Sequence, residues 1–330
     1  MYKGLKVALV IPAYNEEKLI KPTLETVPKT IDKIFVIDDC STDHMPSVVK
    51  ECMKNDKRIV GIRHKKNKGV GQAIITGYKE AVMLGYDVAV VIGGDNQMDL
   101  NDLPNFLEPI ASKEADYVKG NRFMFDYSQK YNNTVEGSAF KVMPSQRFFG
   151  NSILSFIVKW ASGYWKIFDT QDGYTAITRQ AIEKIDWRKA WKGYGYVGDW
   201  LALFNVYNLR VKDVPRRAIY LKGERQSQIK IGRYILKVLP RMIRCFFSRM
   251  KHKYIFQDFH PLVLFYFLGF SLLPLGILLG IYIFIKWMIY FPIDISGTKA
   301  VLVALFIITG IQSLFFAIWF DMQANEYLQK

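Results

Sequence analysis

Cysteine is scarce: the 330 residues hold three, Cys40, Cys52 and Cys245, and no Cys-x-x-Cys pair. That argues against a disulfide framework and a cysteine zinc site, and fits a reducing compartment. Histidine is as sparse, at four scattered positions, so no Ser-His-Asp set suggests itself. No Gly-x-Gly-x-x-Gly follows the first strand-like run, which removes support for a dinucleotide-dependent dehydrogenase. Met1–Lys6 leads directly into an apolar run ending at Pro12, so no secretory leader is expected. No internal repeat or low-complexity segment is apparent. Acidic residues nearly vanish from residues 222–257, where ten basic side chains meet only Glu224, a net +9 out of +15 for the chain. Charge clustered in this way excludes both a disordered chain and a simple soluble enzyme.

Charge of either sign is absent from Leu262–Ile285 and Ala300–Phe320, runs of 24 and 21 residues. About 20 apolar residues in a helix cross the hydrocarbon core of a bilayer, so both read as spans joined by the turn Phe291–Thr298. Pro274 lies in the first span and is expected to kink it. Lys286 and Trp287 stand where a snorkelling cation and an interfacial aromatic belong. Positive charge precedes the first span, which predicts a cytoplasmic face for that side and for both termini. Residues 229–247 read as a basic amphipathic segment in the headgroup layer, with Lys230, Arg233, Lys237, Arg241 and Arg244 on anionic lipid. Pro240 is expected to break or kink it in its middle, giving one or two short helices. A nucleic-acid patch is the competing reading, disfavoured because the stripe abuts a span.

The first part of the chain alternates. Leu5–Ile11, Lys33–Ile37, Ile59–Ile62 and Asp87–Ile92 are strand-like, and Glu16–Val27, His44–Asn55 and Val70–Leu84 are helix-like. This pattern predicts an α/β domain with a mainly parallel sheet and helices on both faces. Ligands in such domains sit beyond the carboxyl ends of the strands. Polar clusters fall there: Tyr14-Asn15-Glu16, Asp38-Asp39 and Asp95-Asn96-Gln97. Each alone suits a helix cap; together on one rim they predict a site. Asn67-Lys-Gly-Val-Gly71 reads as a glycine turn at a helix N-terminus, suited to an anion.

In order along the chain stand Pro12-Ala-Tyr-Asn-Glu16, Asp38-Asp-Cys-Ser-Thr-Asp43, Asn67-Lys-Gly-Val-Gly71, Gly94-Asp-Asn-Gln97, Gly120-Asn-Arg122, Asp169-Thr-Gln-Asp-Gly-Tyr174 and Glu224-Arg-Gln-Ser227. This ordered set resembles the family 2 glycosyltransferases with the Rossmann-like GT-A fold, and within them the polyprenyl-phosphate sugar synthases such as dolichyl-phosphate mannose or glucose synthase. The match covers roughly residues 5–230. One departure concerns the metal motif: its usual first Asp is replaced by Gly93, leaving Asp95 as the carboxylate there.

Charge and hydropathy place a basic juxtamembrane segment (229–259), a transmembrane hairpin (260–322) and a cytoplasmic tail (323–330) after the GT-A catalytic domain (1–228) that the resemblance implies. The resemblance also implies a nucleotide-sugar donor, GDP- or UDP-linked, with Pro12, Tyr14, Glu16 and Asp39 around the nucleoside and Asp95 with Gln97 at the diphosphate. Asp95 and Gln97 would hold Mg²⁺ or Mn²⁺, for which one carboxylate plus phosphate oxygens suffices. The acceptor would be polyprenyl or dolichyl phosphate, met by Arg122, Arg147, Asn151 and Ser227. Asp95, Arg122 and Arg147 are the expected catalytic residues. A phosphate monoester has its second pKa near 6, so it attacks the sugar without a protein base and inverts the anomeric centre. The expected product is a lipid-linked hexose, mannose ahead of glucose, serving glycosylation at the cytoplasmic face. Asp172 is a candidate reader of sugar hydroxyls, with Asp169 and Asp199 the other acids in reach. Trp191, Tyr194 and Tyr196 suit sugar stacking, a lipid groove or core equally. Residues 126–146 suit a lid. Two alternatives stay open: a processive polysaccharide synthase, disfavoured by the lack of Gln-x-x-Arg-Trp, and a non-catalytic nucleotide-binding membrane scaffold, favoured by Gly93.

Overall fold

The computed structural model describes residues 1–124, 145–217, 219, 231–290 and 297–329, without the side chains of 145–149, 151, 231–235 and 237. They fall into two compact units, Met1–Phe246 with Tyr327–Lys330, and Phe247–Glu326.

The first unit starts with β1 (Val7–Ala13), whose residues 7–11 are wholly buried. A strand buried on both faces needs helices above and below, which the alternating pattern supplies. In order follow α1 (Ile20–Glu25), β2 (Lys33–Asp38), α2 (Met45–Asn55), β3 (Ile59–Arg63), α3 (Val70–Met83) and β4 (Val88–Val91). The four strands and three helices expected from periodicity are present; α1 is shorter, because residues 14–19 form the turn that leaves the rim. The remaining elements are α4 (Leu103–Ala111), β5 (Tyr117–Asn121), α5 (Ser145–Ser162), β6 (Thr175–Thr178), α6 (Arg179–Lys184), α7 (Tyr196–Val206) and β7 (Val211–Pro215). The seven strands order as β3-β2-β1-β4-β6-β5-β7. All pair in parallel except β6, which runs antiparallel to β4 and β5. The sheet is therefore mainly parallel, as expected. The order reverses between β1 and β4, and the crevice beyond that switch is where an open α/β sheet binds its ligand.

Helix α8 (Ile231–Lys251) carries the basic stripe and runs unbroken through Pro240. The expectation of a break there is corrected. A proline removes one hydrogen bond and crowds the preceding turn, about 3 kcal/mol in a helix interior. Met242 and Phe246 are each 1% exposed, and Phe246 stacks on Trp160 with ring centroids 4.1 Å apart. That packing offsets the cost. The apolar residues of α8 therefore divide: Met242 and Phe246 face the domain, while Leu236 and Ile243 remain exposed.

In the second unit, α9 (Leu262–Ile289) and α10 (Gly297–Ala324) are each 28 residues long, and only 22% and 17% of their most apolar windows are buried. A core helix of a soluble protein would be mostly buried; these expose Leu, Ile and Phe along their length. Both have the length and composition of membrane spans and extend beyond the predicted limits at 262–285 and 300–320. They approach closely at glycine: a Cβ on Gly310 would lie 2.7 Å from the Leu273 nitrogen, and one on Gly276 2.8 Å from Ile307. Small residues let backbones meet where lipid gives no hydrophobic drive. Next to the hairpin, Arg249 and Asp321 form a fully buried two-pronged ion pair at 2.6 and 3.0 Å. Tyr254 and Asn325 also donate to Asp321 at 3.0 Å each.

Candidate active site

Strand direction decides what shares the rim. Strands β1–β5 and β7 all end at one sheet edge, and antiparallel β6 begins there. That edge gathers Tyr14–Glu16 after β1, Asp38 and Asp39 from β2, His64 after β3, Asp95 after β4, Arg122 after β5, Arg216 after β7, and Asp169–Asp172 ahead of β6. Three exits turn on non-glycine residues in the left-handed region, Asn15 (φ 58°), Cys40 (φ 69°) and Asn96 (φ 54°). Strain of this kind clusters at functional sites.

Among the residues expected around a nucleoside, Pro12 sits in β1 opposite Ile37, Tyr14 is 45% exposed, and Glu16 is half-buried. Asp39 is buried and fully engaged. It accepts from the backbone N–H groups of Lys68 (2.9 Å) and Gly69 (2.7 Å), and His64 Nδ1 lies 2.7 Å away. The glycine turn at 67–71 thus binds an anion, but that anion is Asp39. The expectation of an open anion site there is corrected. Gly69 adopts φ +90°, and a Cβ on it would lie 2.5 Å from the Lys192 carbonyl oxygen. The same carbonyl accepts from Gln72 N–H at 3.2 Å. The start of α3 is closed by Asp39 on one side and the 191–193 backbone on the other.

Asp95 is different. Its Oδ1 accepts only a long bond, 3.3 Å, from Gln97 N–H, and no ion pair reaches it among the described residues. Burial pushes its pKa up, partly opposed by backbone hydrogen bonds and the Arg216 charge. A half-buried carboxylate without a cation suits a divalent metal. A Cβ on Gly93 would lie 2.8 Å from Asp95 Oδ1, so Gly93 leaves room for this rotamer of Asp95. Among the described residues no three His, Cys, Asp or Glu side chains converge on a metal position. The donor set therefore fits an ion completed by ligand oxygens, not an all-protein cage. Gln97 is placed by its backbone: its carbonyl accepts from Arg216 Nη1 and Ile219 N–H, each at 3.2 Å. The alternative of Asp95 as a helix cap does not hold, since Asp99 caps the following turn.

Arg122 is held by two acids. Its Nε and Nη2 donate to Asp169 at 2.7 and 2.9 Å, and Asp172 lies 3.5 Å from Nε. Asp172 accepts from Arg216 Nε at 2.6 Å. Asp169 is deeply buried, which alone would raise its pKa; Arg122 and Lys119 overcome that and hold it well below the usual carboxylate range. Asp172, considered for sugar hydroxyls, is instead an internal partner of two arginines and is 1% exposed. The chain Asp169–Arg122–Asp172–Arg216–Gln97 links the end of β5 to the Asp95 loop. Arg216 was missed in the sequence, because nothing there marked β7.

Tyr194 feels the charges of both Asp95 and Arg122. Partial desolvation raises its pKa, Arg122 draws it down and Asp95 pushes it up. Tyr194 and Trp191 are exposed by 67% and 40%, whereas Tyr196 is core at 7%. Arg147 and Asn151 lie on α5 with undescribed side chains. Ser227, the 224–227 motif, Lys230 and nearly all of the 126–146 segment lie outside the described residues.

The sequence model of Glycosyl transferase family 2 matches residues 8–186, just over half the chain. A UDP-N-acetylglucosamine–dolichyl-phosphate N-acetylglucosaminyltransferase of Methanococcus voltae is 33% identical over 252 residues, covering 72% of this chain and 94% of that protein. A polyprenol monophosphomannose synthase of Mycolicibacterium smegmatis is 26% identical, covering 64% and 76%. Among solved structures, glucosyl-3-phosphoglycerate synthase from Mycobacterium tuberculosis superposes with a TM-score of 0.51 at 17% identity, covering 74% of this chain and 80% of that one. That likeness is one of fold.

Proposed function

From the premise that the chain belongs to glycosyl transferase family 2 and has the GT-A fold, we propose that it transfers a sugar from a nucleotide diphosphate to a polyprenyl or dolichyl phosphate at the cytoplasmic membrane face. The observation that carries this is the shared rim: beyond the ends of β4 and β5 stand Asp95, which no ion pair reaches among the described residues, and Arg122, clamped by Asp169 and Asp172. The relatives supply the acceptor class, and the two span-like helices give such an acceptor a membrane to reside in. The Methanococcus voltae relative, matched over nearly its whole length, makes UDP-N-acetylglucosamine the first donor to test, ahead of the mannose and glucose donors.

Tyr14 and Glu16 border the nucleoside, while Asp39 shapes that wall from behind by fixing the start of α3. Asp95, with Gln97 beside it, would hold Mg²⁺ or Mn²⁺, which would offset the charge on the departing diphosphate. Arg122 presents the edge of its guanidinium to the acceptor phosphate, with Arg147, Asn151 and Ser227 as further donors. A phosphate oxygen of the acceptor attacks the sugar C1; the C1–O bond to the diphosphate breaks, and its electron pair leaves with the nucleotide. One displacement inverts the anomeric centre. The acceptor oxygen carries no proton to remove, so no side-chain base is required. His64, at the end of β3, is held between Asp39 and Thr76 Oγ1, 3.0 Å away.

The basic stripe of α8 supports a cytoplasmic catalytic domain on anionic lipid. Tyr327 and Gln329 support a C-terminus on the same side: Tyr327 donates to Asn208 at 3.1 Å, and Gln329 accepts from Lys166 N–H at 2.6 Å. The test is to incubate purified protein with Mg²⁺ or Mn²⁺, polyprenyl phosphate and labelled UDP-N-acetylglucosamine, UDP-glucose or GDP-mannose. A single-sugar lipid product is expected. A polymer would mark a processive synthase, and nucleotide binding without transfer a scaffold; either overturns the proposal.

A further inference from the structure

Segment Trp191–Tyr194 is held from three sides within the catalytic unit. Its carbonyls face the start of α3, where a Cβ on Gly71 would lie 2.7 Å from the Trp191 oxygen and Gln72 N–H reaches Lys192. Its far end carries Tyr194, which feels the charges of both Arg122 and Asp95, and the α3 start that it closes also holds the rim carboxylate Asp39 through Lys68 and Gly69 N–H. The third side is helix α8. Arg241 donates from Nε and Nη2 to Asp199 Oδ2, each at 2.8 Å, and its guanidinium lies 4.5 Å from the Trp191 ring centroid. Asp199, 5% exposed, gives its other oxygen to Trp191 N–H at 2.8 Å and accepts from Cys245 Sγ at 3.1 Å. Trp191 Nε1 then donates to the Tyr194 carbonyl at 3.1 Å, and Trp200 Nε1 to the Trp191 carbonyl at 2.9 Å.

Burying Asp199 calls for a cation, but not for one whose guanidinium also stacks on a half-exposed tryptophan. The stack adds a flat plate that fixes the ring, and the ring fixes the Tyr194 carbonyl. We infer that Arg241 is a positioning residue for the donor: through Asp199 and Trp191 it sets segment Trp191–Tyr194 against the Asp95 rim. This rests on the transferase reading of that rim. It also gives the basic stripe a second duty. Arg244 on the same helix is exposed toward solvent, whereas Arg241 turns inward to the site. Contact between α8 and lipid would then reach the donor pocket through one side chain.

The test compares full-length wild type with Arg241→Lys and Arg241→Met in lipid nanodiscs containing phosphatidylglycerol. It measures transfer kinetics with UDP-N-acetylglucosamine and, separately, amide hydrogen exchange of residues 191–195. Methionine keeps the apolar stem but lacks charge and plate; lysine keeps the charge alone. In Arg241→Met the donor KM should rise about tenfold, the effect of losing one charge-assisted hydrogen bond, with the acceptor KM unchanged. Exchange at residues 191–195 should quicken by a similar factor, and lysine should recover only part of both. Because Arg241→Met leaves a buried carboxylate uncompensated, the double variant Arg241→Met/Asp199→Asn removes both charges and keeps an oxygen for the Trp191 amide. If that double variant folds with wild-type donor KM and wild-type exchange, the inference is wrong. Faster exchange in the variants of a protein that transfers no sugar would keep the clamp and remove the transferase reading.

Discussion

At the residue scale, burial raises the pKa values of Asp95 and Asp213, with different consequences. Among the described residues no ion pair compensates Asp95, as suits the metal ligand proposed for it. Replacing Asp95 with Asn should lower transfer by about two to three orders of magnitude, since a metal ion supplies several kcal/mol of charge stabilisation. The same change should raise the Tm measured in EDTA. The sign follows from linkage: an acid whose folded pKa is raised binds more protons when folded, so stability falls as pH rises past its ordinary value. Asn removes that penalty. Asp213 behaves likewise without touching the rim. Burial pushes it up to about 6, opposed by the Lys119 charge, and its Oδ1 has no partner. The Tm advantage of Asp213→Asn over wild type should be near zero at pH 4, grow through pH 6 and level off above it. An advantage that shrinks with pH would contradict the burial assignment.

At the scale of elements, the glycine turn before α3 shows how one motif reads two ways. Its sequence promises an anion site, and its place in the fold fills that site with Asp39 and pushes Gly69 against Lys192. A Gly69→Ala variant must place a side chain at φ +90° and 2.5 Å from a carbonyl oxygen. It should lose about 1–3 kcal/mol of stability, the range for overpacking and backbone strain. It should also raise the donor KM, because the 191–194 segment would be displaced. Urea denaturation and steady-state kinetics measure these separately; a wild-type KM at reduced stability would detach the turn from donor binding. Helix α8 teaches the converse. Its basic stripe was legible from spacing, yet its continuity through Pro240 was not, since packing of Met242 and Phe246 has no local signature.

At the scale of the whole molecule, Tyr327 and Gln329 return to a unit otherwise built from residues 1–246. Tyr327 and Gln329 hydrogen-bond to Asn208, Lys166 and, at 3.4 Å, the Gly163 carbonyl. What read as a tail is a strap. Deleting residues 327–330 should cost roughly 1 kcal/mol per lost hydrogen bond, seen as a lower Tm of the full-length protein in detergent. An unchanged Tm would show the strap to be idle.

The alternation of apolar runs, the polar strand exits, the nearly acid-free basic stripe and the two uncharged stretches are local properties. Periodicity and transfer free energy act on neighbours in sequence, so the sequence by itself determined the parallel core β1–β4, the three helices around it, the two span-length helices and the candidacy of Asp95. Strands β5, β6 and β7 were not legible, because polar or charged residues such as Lys119, Asn121, Thr175, Lys212 and Asp213 interrupt their apolar ones, unlike the apolar run of β4. With them went Arg216 and the place of Asp172. Whether a charged side chain is free or paired depends on partners 44 to 50 residues away, as for Arg216 with Asp172 and Lys119 with the Asp169 carbonyl. Only the tertiary structure decided that Asp39 closes a helix while Asp95 stands open. It did so because a carboxylate in a low-dielectric interior takes whatever donors the fold brings within reach.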